Sequence, residues 1–387
     1  MTKLRFLTAG ESHGPALTLI IEGMPAGVPF QLKVVEDELA RRRLGYGRGP
    51  RMKIEQDQLE LLSGVRFGRT LGSPISMIIH NTEWPKWERV MSSEGPATGK
   101  VQSQPRPGHA DLAGMLKYGH ADARDVLERA SARETAARSA AGAVAKMLLS
   151  ELGIKVFSHV TSIGGASSDP QLRPTYADLE AIDASEVRAF DPEAAGRMVD
   201  EIKSAEAADD SLGGTFEVIV EGAPAGLGSY VHWDRRLDGR LGQALMSIPA
   251  IKGVEIGSGF EVAAKRGSES HDEIVLKDDG YGRKTDRAGG LEGGVSIGGT
   301  IRLRAAMKPL STLRQPLDTV DIATGEPAKA LKERTDVCSV PAAGVVGESV
   351  VSLVIADAIL ERFSSDTLDD LVSSMTHFKD RTSPTDR

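Results

Sequence analysis

Apolar and polar positions alternate in short runs along the amino-terminal part of the chain. LRFLTA (4–9), ALTLIIEG (16–23), LELLSGV (59–65) and SPISMIIHN (73–81) have strand length and β-branched or alternating character, and each reads as a strand. VVEDELARRR (34–43) instead reads as a helix closed by Gly45. The segment 83–108 sustains no period and reads as a long loop or lid, a feature that in compact domains is usually functional or mobile. A second helix is predicted from Ser131, where Ser131 and Glu134 have capping-box spacing, and the Ala-rich run continues to Gly153. So many alanines imply close packing on several sides, as in a helix enclosed by other elements. The second half continues in the same style with a strand FEVIVEG (216–222), a helix RRLDGRLGQALMSI (235–248) and further strands after Gly253. The polar stretch from Thr376 onward is expected to fray.

Two of these runs are parallel in sequence. GESHGPALTLIIEGMPAG (10–27) and DDSLGGTFEVIVEGAPAG (209–226) share Glu-Gly and Pro-Ala-Gly at matching places, with Leu212 where His13 stands. The pattern predicts two copies of one strand–turn unit in a single pseudo-symmetric domain over residues 1–375. Its halves fall at about 1–200 and 201–375, and a polar tail follows over 376–387. Independent use of Pro and Gly turn chemistry is the alternative reading.

Composition narrows the class. Hydrophobic residues make up 40% and charged residues 26% of 387, the profile of a soluble globular protein. One cysteine, Cys338, cannot form an intrachain disulfide, and the amino terminus shows no apolar signal-like run. A cytoplasmic protein without a membrane partner is expected. The net charge of −8 argues against nucleic-acid binding. Yet ARRRLGYGRGPR (40–51) is rich in arginine and has no acid, as suits neutralisation of a small polyanion.

The candidate chemistry begins with GESHG (10–14), which matches a serine hydrolase elbow. An elbow needs a helix after the serine, and the residues that follow are strand-like, so Ser12 is rejected as a nucleophile. His13 stands out because the repeat holds an apolar residue at the equivalent place. Arg106 and His109 in RPGHAD are fixed by Pro and Gly so that both can point into one cavity, although a structural histidine fits that motif equally well. Of Arg41, Arg42 and Arg43, at most one or two can face a common ligand, and the helix dipole accounts for part of the triplet. Arg48 and Arg51 have no dipole rationale. Arg129 and Arg133 flank the helix start at Ser131, a natural anion site. Lys308, Pro309, Leu310, Ser311 and Thr312 form another cationic turn, and Asp336 sits beside Arg334, where a local salt bridge is the plain alternative. Neither a Walker A nor a dinucleotide fingerprint is present, and no metal-ligand spacing occurs.

GESHGPAL, RRRLGYGR, RPGHADL, RASARETAAR, ALMSIPAIKGVEIGSGF and RTDVCSVPA occur in order, and together they resemble the chorismate synthase family from about residue 5 to 360. The resemblance implies an α+β fold: a pseudo-symmetric β-α-β sandwich with helices enclosed between antiparallel sheets, usually assembled as a homotetramer. It implies a carbon–oxygen lyase that converts 5-enolpyruvylshikimate 3-phosphate to chorismate with reduced FMN. By the same resemblance His13 protonates the departing phosphate, His109 protonates the reduced flavin, and Asp336 takes the substrate proton together with the flavin. Arg129, Ala130, Ser131, Pro249, Ala250, Gly293, Lys308 through Thr312 and Arg334 match flavin-binding positions. Arg42 and Arg48 match positions for anionic substrate or NADP, and Ser12, Arg106 and Arg133 are added as substrate-side candidates. Pro249 departs from the family pattern, and having no N–H it can serve a flavin only through its carbonyl, through Ala250 or by packing. An external reductant is expected; whether NADPH is the donor stays open.

Overall fold

The computed structural model describes residues 3–49, 57–277, 280–333 and 335–382. The early alternating runs become β1 (Arg5–Ala9), β2 (Ala16–Glu22), β3 (Gln58–Ser63) and β6 (Ile75–His80), an antiparallel sheet ordered β1-β2-β6-β3. Helix α1 (Leu32–Arg43) joins β2 to β3, and a hairpin of β4 (Val65–Arg66) and β5 (Arg69–Thr70) lies between β3 and β6. Leu17, Leu19 and Ile21 of β2 stand opposite Ile79, Met77 and Ile75 of β6, and all are buried. A period of two puts them on one face of the pleat, which fixes the register.

After β6 the chain makes an excursion holding α2 (Trp84–Trp87), α3 (Asp111–Tyr118) and α4 (Arg124–Ala130), then enters α5 (Thr135–Glu151). The second sheet uses β7 (Lys155–Ile163), β8 (Ala166–Ser167), β9 (Gly214–Glu221), β10 (Ile251–Ile256) and β15 (Ile301–Met307), in the order β10-β15-β9-β7-β8. Between β8 and β9 run α6 (Leu179–Ala184) and α7 (Pro192–Ala207), and α8 (Leu237–Met246) precedes β10. Two hairpins, β11 (Ile274–Lys277) with β12 (Gly280–Arg283) and β13 (Leu291–Glu292) with β14 (Val295–Ser296), lead into β15. Helices α9 (Val340–Phe363) and α10 (Leu368–Thr382) follow.

The sheets repeat one pattern, with β7, β9, β15 and β10 taking the places of β1, β2, β6 and β3. The turns after β2 and β9 match bond for bond. Thr70 Oγ1 accepts from Val28 N–H at 3.0 Å and donates to Pro25 O at 2.6 Å, while Ser296 Oγ accepts from Leu227 N–H at 2.9 Å and donates to Pro224 O at 2.6 Å. Backbone bonds match too: Gly27 N–H to Thr70 O at 2.9 Å, and Gly226 N–H to Ser296 O at 2.8 Å. Gly27 and Gly226 both have φ of 88°, which a side chain would strain.

Between the sheets lie α5 and α9, packed on each other, with α5 also against β2 and α9 against β7 and β9. Gly142 permits their close approach, since a Cβ there would sit 2.4 Å from Ser349 Cα. Helix α9 is apolar all round and almost wholly buried, which marks it as a core helix.

Some local expectations change. Ser131 Oγ accepts from the Arg133 N–H at 3.2 Å and opens a single 3-10 turn, so α5 itself begins at Thr135. Glu134 does not complete the capping box, because Arg138 Nε at 2.9 Å and Thr8 Oγ1 at 2.8 Å hold its carboxylate. The loop 83–108 contains the short α2. Residues 376–382, expected to fray, continue α10, whose Leu371 and Met375 are buried while Phe378 meets Phe363 edge-on at 5.6 Å.

Candidate active site

Segments of both units converge on a cavity of about 480 Å³, a size typical of small-molecule sites. The N-terminal ends of α5 and α9 line it at Thr135 and at Ala342, Ala343 and Val346. Both helices present N-terminal N–H groups and the positive end of their dipoles there. The β1–β2 turn contributes Ser12 and His13, and the last turn of α1 contributes Arg42. The excursion after β6 brings Arg106 and His109, then Ala130, Ser131 and Arg133. From the second unit come Pro249 and Ala250 before β10, Lys308 through Thr312 after β15, and Asp336 before α9.

His13 is held on three sides. Its backbone N–H donates to Glu128 Oε2 at 2.8 Å, and its ring Nδ1 lies 3.0 Å from both Glu128 oxygens. Trp87 stacks on the ring with centroids 4.1 Å apart. An ionised carboxylate can only accept, so Nδ1 carries the proton and Nε2 is the nitrogen left to the cavity. Burial works against the charge on Glu128, but the bonds from His13 and the nearby Arg124 outweigh it and hold the carboxyl below its usual range.

His109 repeats the arrangement. Its Nδ1 donates to Asp111, a fully buried carboxylate that also takes Arg106 Nε at 2.8 Å and Arg106 Nη2 at 3.1 Å. Burial would raise the Asp111 carboxyl, yet the bonds from His109 and Arg106 keep it well below the ordinary carboxylate range. Arg106 Nη1 donates to Thr312 Oγ1 at 2.9 Å, and Lys308 Nζ donates to Gly108 O, so the cationic turn of one unit locks the histidine turn of the other.

Asp336 accepts from the Gly49 N–H at 2.6 Å through Oδ1, and from Ser339 Oγ at 2.8 Å and Arg48 Nη1 at 2.7 Å through Oδ2. Arg42 Nη1 donates to Thr135 Oγ1 at 3.3 Å, and Arg133 Nε to Asn81 Oδ1 at 3.0 Å. Within the arginine triplet only Arg42 lines the cavity. Arg41 pairs with Glu38, Asp183 and Glu348, and Arg43 lies 3.9 Å from Asp57. Ser12 Oγ is bonded to Ser131 Oγ at 3.2 Å, and β2 follows it where an elbow would need a helix.

Two expected site residues lie elsewhere. Arg129 Nη1 and Nη2 donate to the carbonyls of Gly10 and Thr8 at 3.1 and 3.0 Å, outside the cavity lining. Gly293 sits in the β13–β14 turn, which also does not line it. Arg334 and Arg51 fall outside the described residues. In turn, Glu128, Trp87 and Ser339 were not anticipated: Glu128 is 115 residues from His13, and no local pattern links them. Asp111 stood inside RPGHAD without a role, although its two-residue spacing from His109 was a usable signal.

The lining is chemically divided. Leu127, Ile248, Met307 and Val346 form an apolar wall, while Arg42, Arg48, Arg106, Arg133 and Lys308 outnumber the lining carboxylates Glu333 and Asp336. Such a cavity suits anionic ligands that also bear apolar surface. Cys338 is buried, and burial pushes its thiol up to about 11, which leaves it inert.

Comparison with known proteins agrees with this chemistry. The family model described as chorismate synthase matches residues 4–360. The chorismate synthase of Salinispora tropica is 55% identical over 374 residues, covering 94% of this chain and 95% of that protein. The one from Acidothermus cellulolyticus is 56% identical over 372 residues, with the same coverage of 94% and 95%. A solved chorismate synthase structure superimposes with a TM-score of 0.79 at 41% identity, covering 98% of both chains. On the match of sequence and fold, the chain belongs to the chorismate synthase family.

Proposed function

We propose that this cavity carries out the anti 1,4-elimination of phosphate from 5-enolpyruvylshikimate 3-phosphate. The lyase class and its place in aromatic biosynthesis follow from family membership. One C–H bond and the C–O bond to phosphate break, a C=C bond forms, and the products are chorismate, phosphate and a proton. Arg42, Arg48, Arg106 and Lys308, with the dipoles of α5 and α9, neutralise the substrate's phosphate and two carboxylates. His13, acting as the imidazolium with its Nδ1–H on Glu128, gives its Nε2 proton to the departing phosphate oxygen. His109 keeps a proton at Nε2 facing the ring site. A carboxylate has about four acceptor sites, and Gly49, Arg48 and Ser339 fill three at Asp336. That leaves Asp336 room to receive the substrate proton.

Reduced FMN, when bound, would supply transient electron density for the elimination, with no net redox change. Leu127, Ile248, Met307 and Val346 offer its ring an apolar wall, and Ala130, Ser131, Pro249, Ala250 and Lys308 through Thr312 would hold the rest. The reading includes an external reductant, with NADPH as the candidate donor, a homotetrameric assembly and a cytoplasmic setting.

The observation that carries this reading is the pair of histidines whose Nδ1 atoms are held by buried carboxylates, beside one cationic cavity. The test mixes the protein anaerobically with dithionite-reduced FMN and substrate, following flavin absorbance and phosphate release. Phosphate release with a transient in the flavin spectrum is expected. Turnover in air with oxidised FMN and no reductant would refute the cofactor assignment.

A further inference from the structure

Glu128 is not part of the cavity lining, and its side chain is only 2% exposed. Each of its oxygens is nevertheless used twice. Oε1 takes Arg124 Nη1 at 2.8 Å and the His13 ring at 3.0 Å, while Oε2 takes the His13 backbone N–H at 2.8 Å and the same ring nitrogen at 3.0 Å. One carboxylate thus fixes both the loop and the imidazole. Trp87 closes the arrangement, stacked on His13 on one side and carrying the Arg124 guanidinium 4.9 Å from its ring centroid.

A purely structural ion pair would need only Arg124 and Glu128. The repeat argues for more. In the second unit the place of His13 is taken by Leu212, whose N–H donates to the Val337 carbonyl at 2.8 Å, whereas the His13 N–H donates to the Glu128 carboxylate at 2.8 Å. The same N–H thus meets a main-chain carbonyl where the turn bears leucine and a glutamate side chain where it bears histidine. The carboxylate accompanies the imidazole.

We propose that Glu128 is the positioning residue of His13: it accepts the hydrogen bond from Nδ1–H, so that Nε2, which bears the transferable proton in the imidazolium, faces the cavity in one orientation. This rests on the reading of His13 as the acid for phosphate departure. Glu128 does not touch the substrate, so it acts on turnover and not on affinity.

The test is a double-mutant cycle read together with the ¹⁵N spectrum of His13. Glu128→Ala is expected to lower kcat at least about tenfold, the scale of a lost tautomer partner, with KM within about threefold. Glu128→Gln keeps the shape but sets an amide N–H against a donor, and should give a smaller loss in the same direction. In a His13→Ala background, Glu128→Ala should cost nothing further, because the two act as one unit. The ¹⁵N signature of an Nδ1–H held by a carboxylate should be present in the unsubstituted protein, in both the neutral ring and the imidazolium, and lost in Glu128→Ala. An equal further loss in the His13→Ala background, or an unchanged Nδ1–H signal in Glu128→Ala, overturns the proposal. If His13→Ala alone keeps its kcat, the acid reading fails, and the spectrum by itself then decides whether Glu128 positions the ring.

Discussion

Gly10 through Gly14 and Asp209 through Gly213 occupy the same place in two copies of one frame, yet they serve the cavity in opposite ways. Each turn is stitched to the segment that leads into the long helix of its unit, through Ser12 N–H to Glu128 O and Leu212 N–H to Val337 O. In the first unit the functional side chain rides on the turn, as His13. In the second the turn only anchors: Leu212 packs against the core, and the anchored segment carries Asp336 beside Val337. The two turns are thus anchored one residue apart in register, at Ser12 and at Leu212, the counterpart of His13. One displays an imidazole and the other positions a carboxylate.

The sharpest way to break this comparison is to make the first copy resemble the second. His13→Leu should lower turnover by about 10²- to 10⁴-fold, the range of general acid catalysis. Thermal stability should change little, because the repeat shows that the frame accommodates leucine. Anaerobic turnover and a melting curve are the measurements, and near-normal turnover would remove the acid role from His13.

A second asymmetry is electrostatic. Glu348 on α9 is fully buried and accepts from Arg41 Nη1 at 2.8 Å, Lys146 Nζ at 2.6 Å, Arg188 Nη2 at 3.0 Å and Ser158 Oγ at 2.6 Å. Arg41 and Lys146 belong to α1 and α5 of the first unit, so this network ties one unit to the other. Glu348→Ala strands buried cations and should cost about 3–5 kcal/mol in urea unfolding, the usual penalty for breaking a buried pair from one side. A loss below about 1 kcal/mol would mean that water or relaxation replaces the carboxylate.

These contrasts also mark what was legible in the chain. The faces of β2 and β6 were readable because half-buried strands alternate, and the Pro-Ala-Gly turns because Pro and Gly have few other uses at such spacing. Helix α9 was invisible to the same logic. An apolar surface on every side leaves no period to detect, and its small residues report close packing only once Phe216 and Val218 are seen 2.7 and 2.9 Å from a Cβ placed at Gly347. At the site, His13 and His109 were legible from loop chemistry and family motifs. Glu128 and Trp87 were not, since each meets His13 through a fold contact across a long stretch of chain. Helix geometry limited the arginine triplet to one or two ligand-facing members, and it is the fold that assigns Arg42 to the cavity and Arg41 to an internal network with Glu38, Asp183 and Glu348.

The turns themselves give a milder test of equivalence. Thr70→Val and Ser296→Ala each remove a hydroxyl that both accepts a buried N–H and donates to a proline carbonyl. Each should cost about 2 kcal/mol, and the double variant should show the sum, because distant sites add. Losses differing by more than about 1 kcal/mol would mean that the two turns bear unequal load despite their matching bonds.

The smallest effect concerns the connectors leaving α1 and α8. In the first unit glycines carry the left-handed residues, Gly45 with φ of 120° and Gly47 with 84°, whereas in the second Ala250 adopts φ of 68° at the cavity edge. A left-handed conformation costs a non-glycine residue about 1–2 kcal/mol, and the extra backbone entropy of glycine returns about 0.5–1 kcal/mol of that difference. Ala250→Gly should therefore stabilise the fold by about 0.5 kcal/mol in chemical denaturation. A net loss would show that the alanine methyl contributes packing worth more than the strain. The second connector would then hold its left-handed residue for the sake of the cavity wall, where the first uses glycine merely to turn.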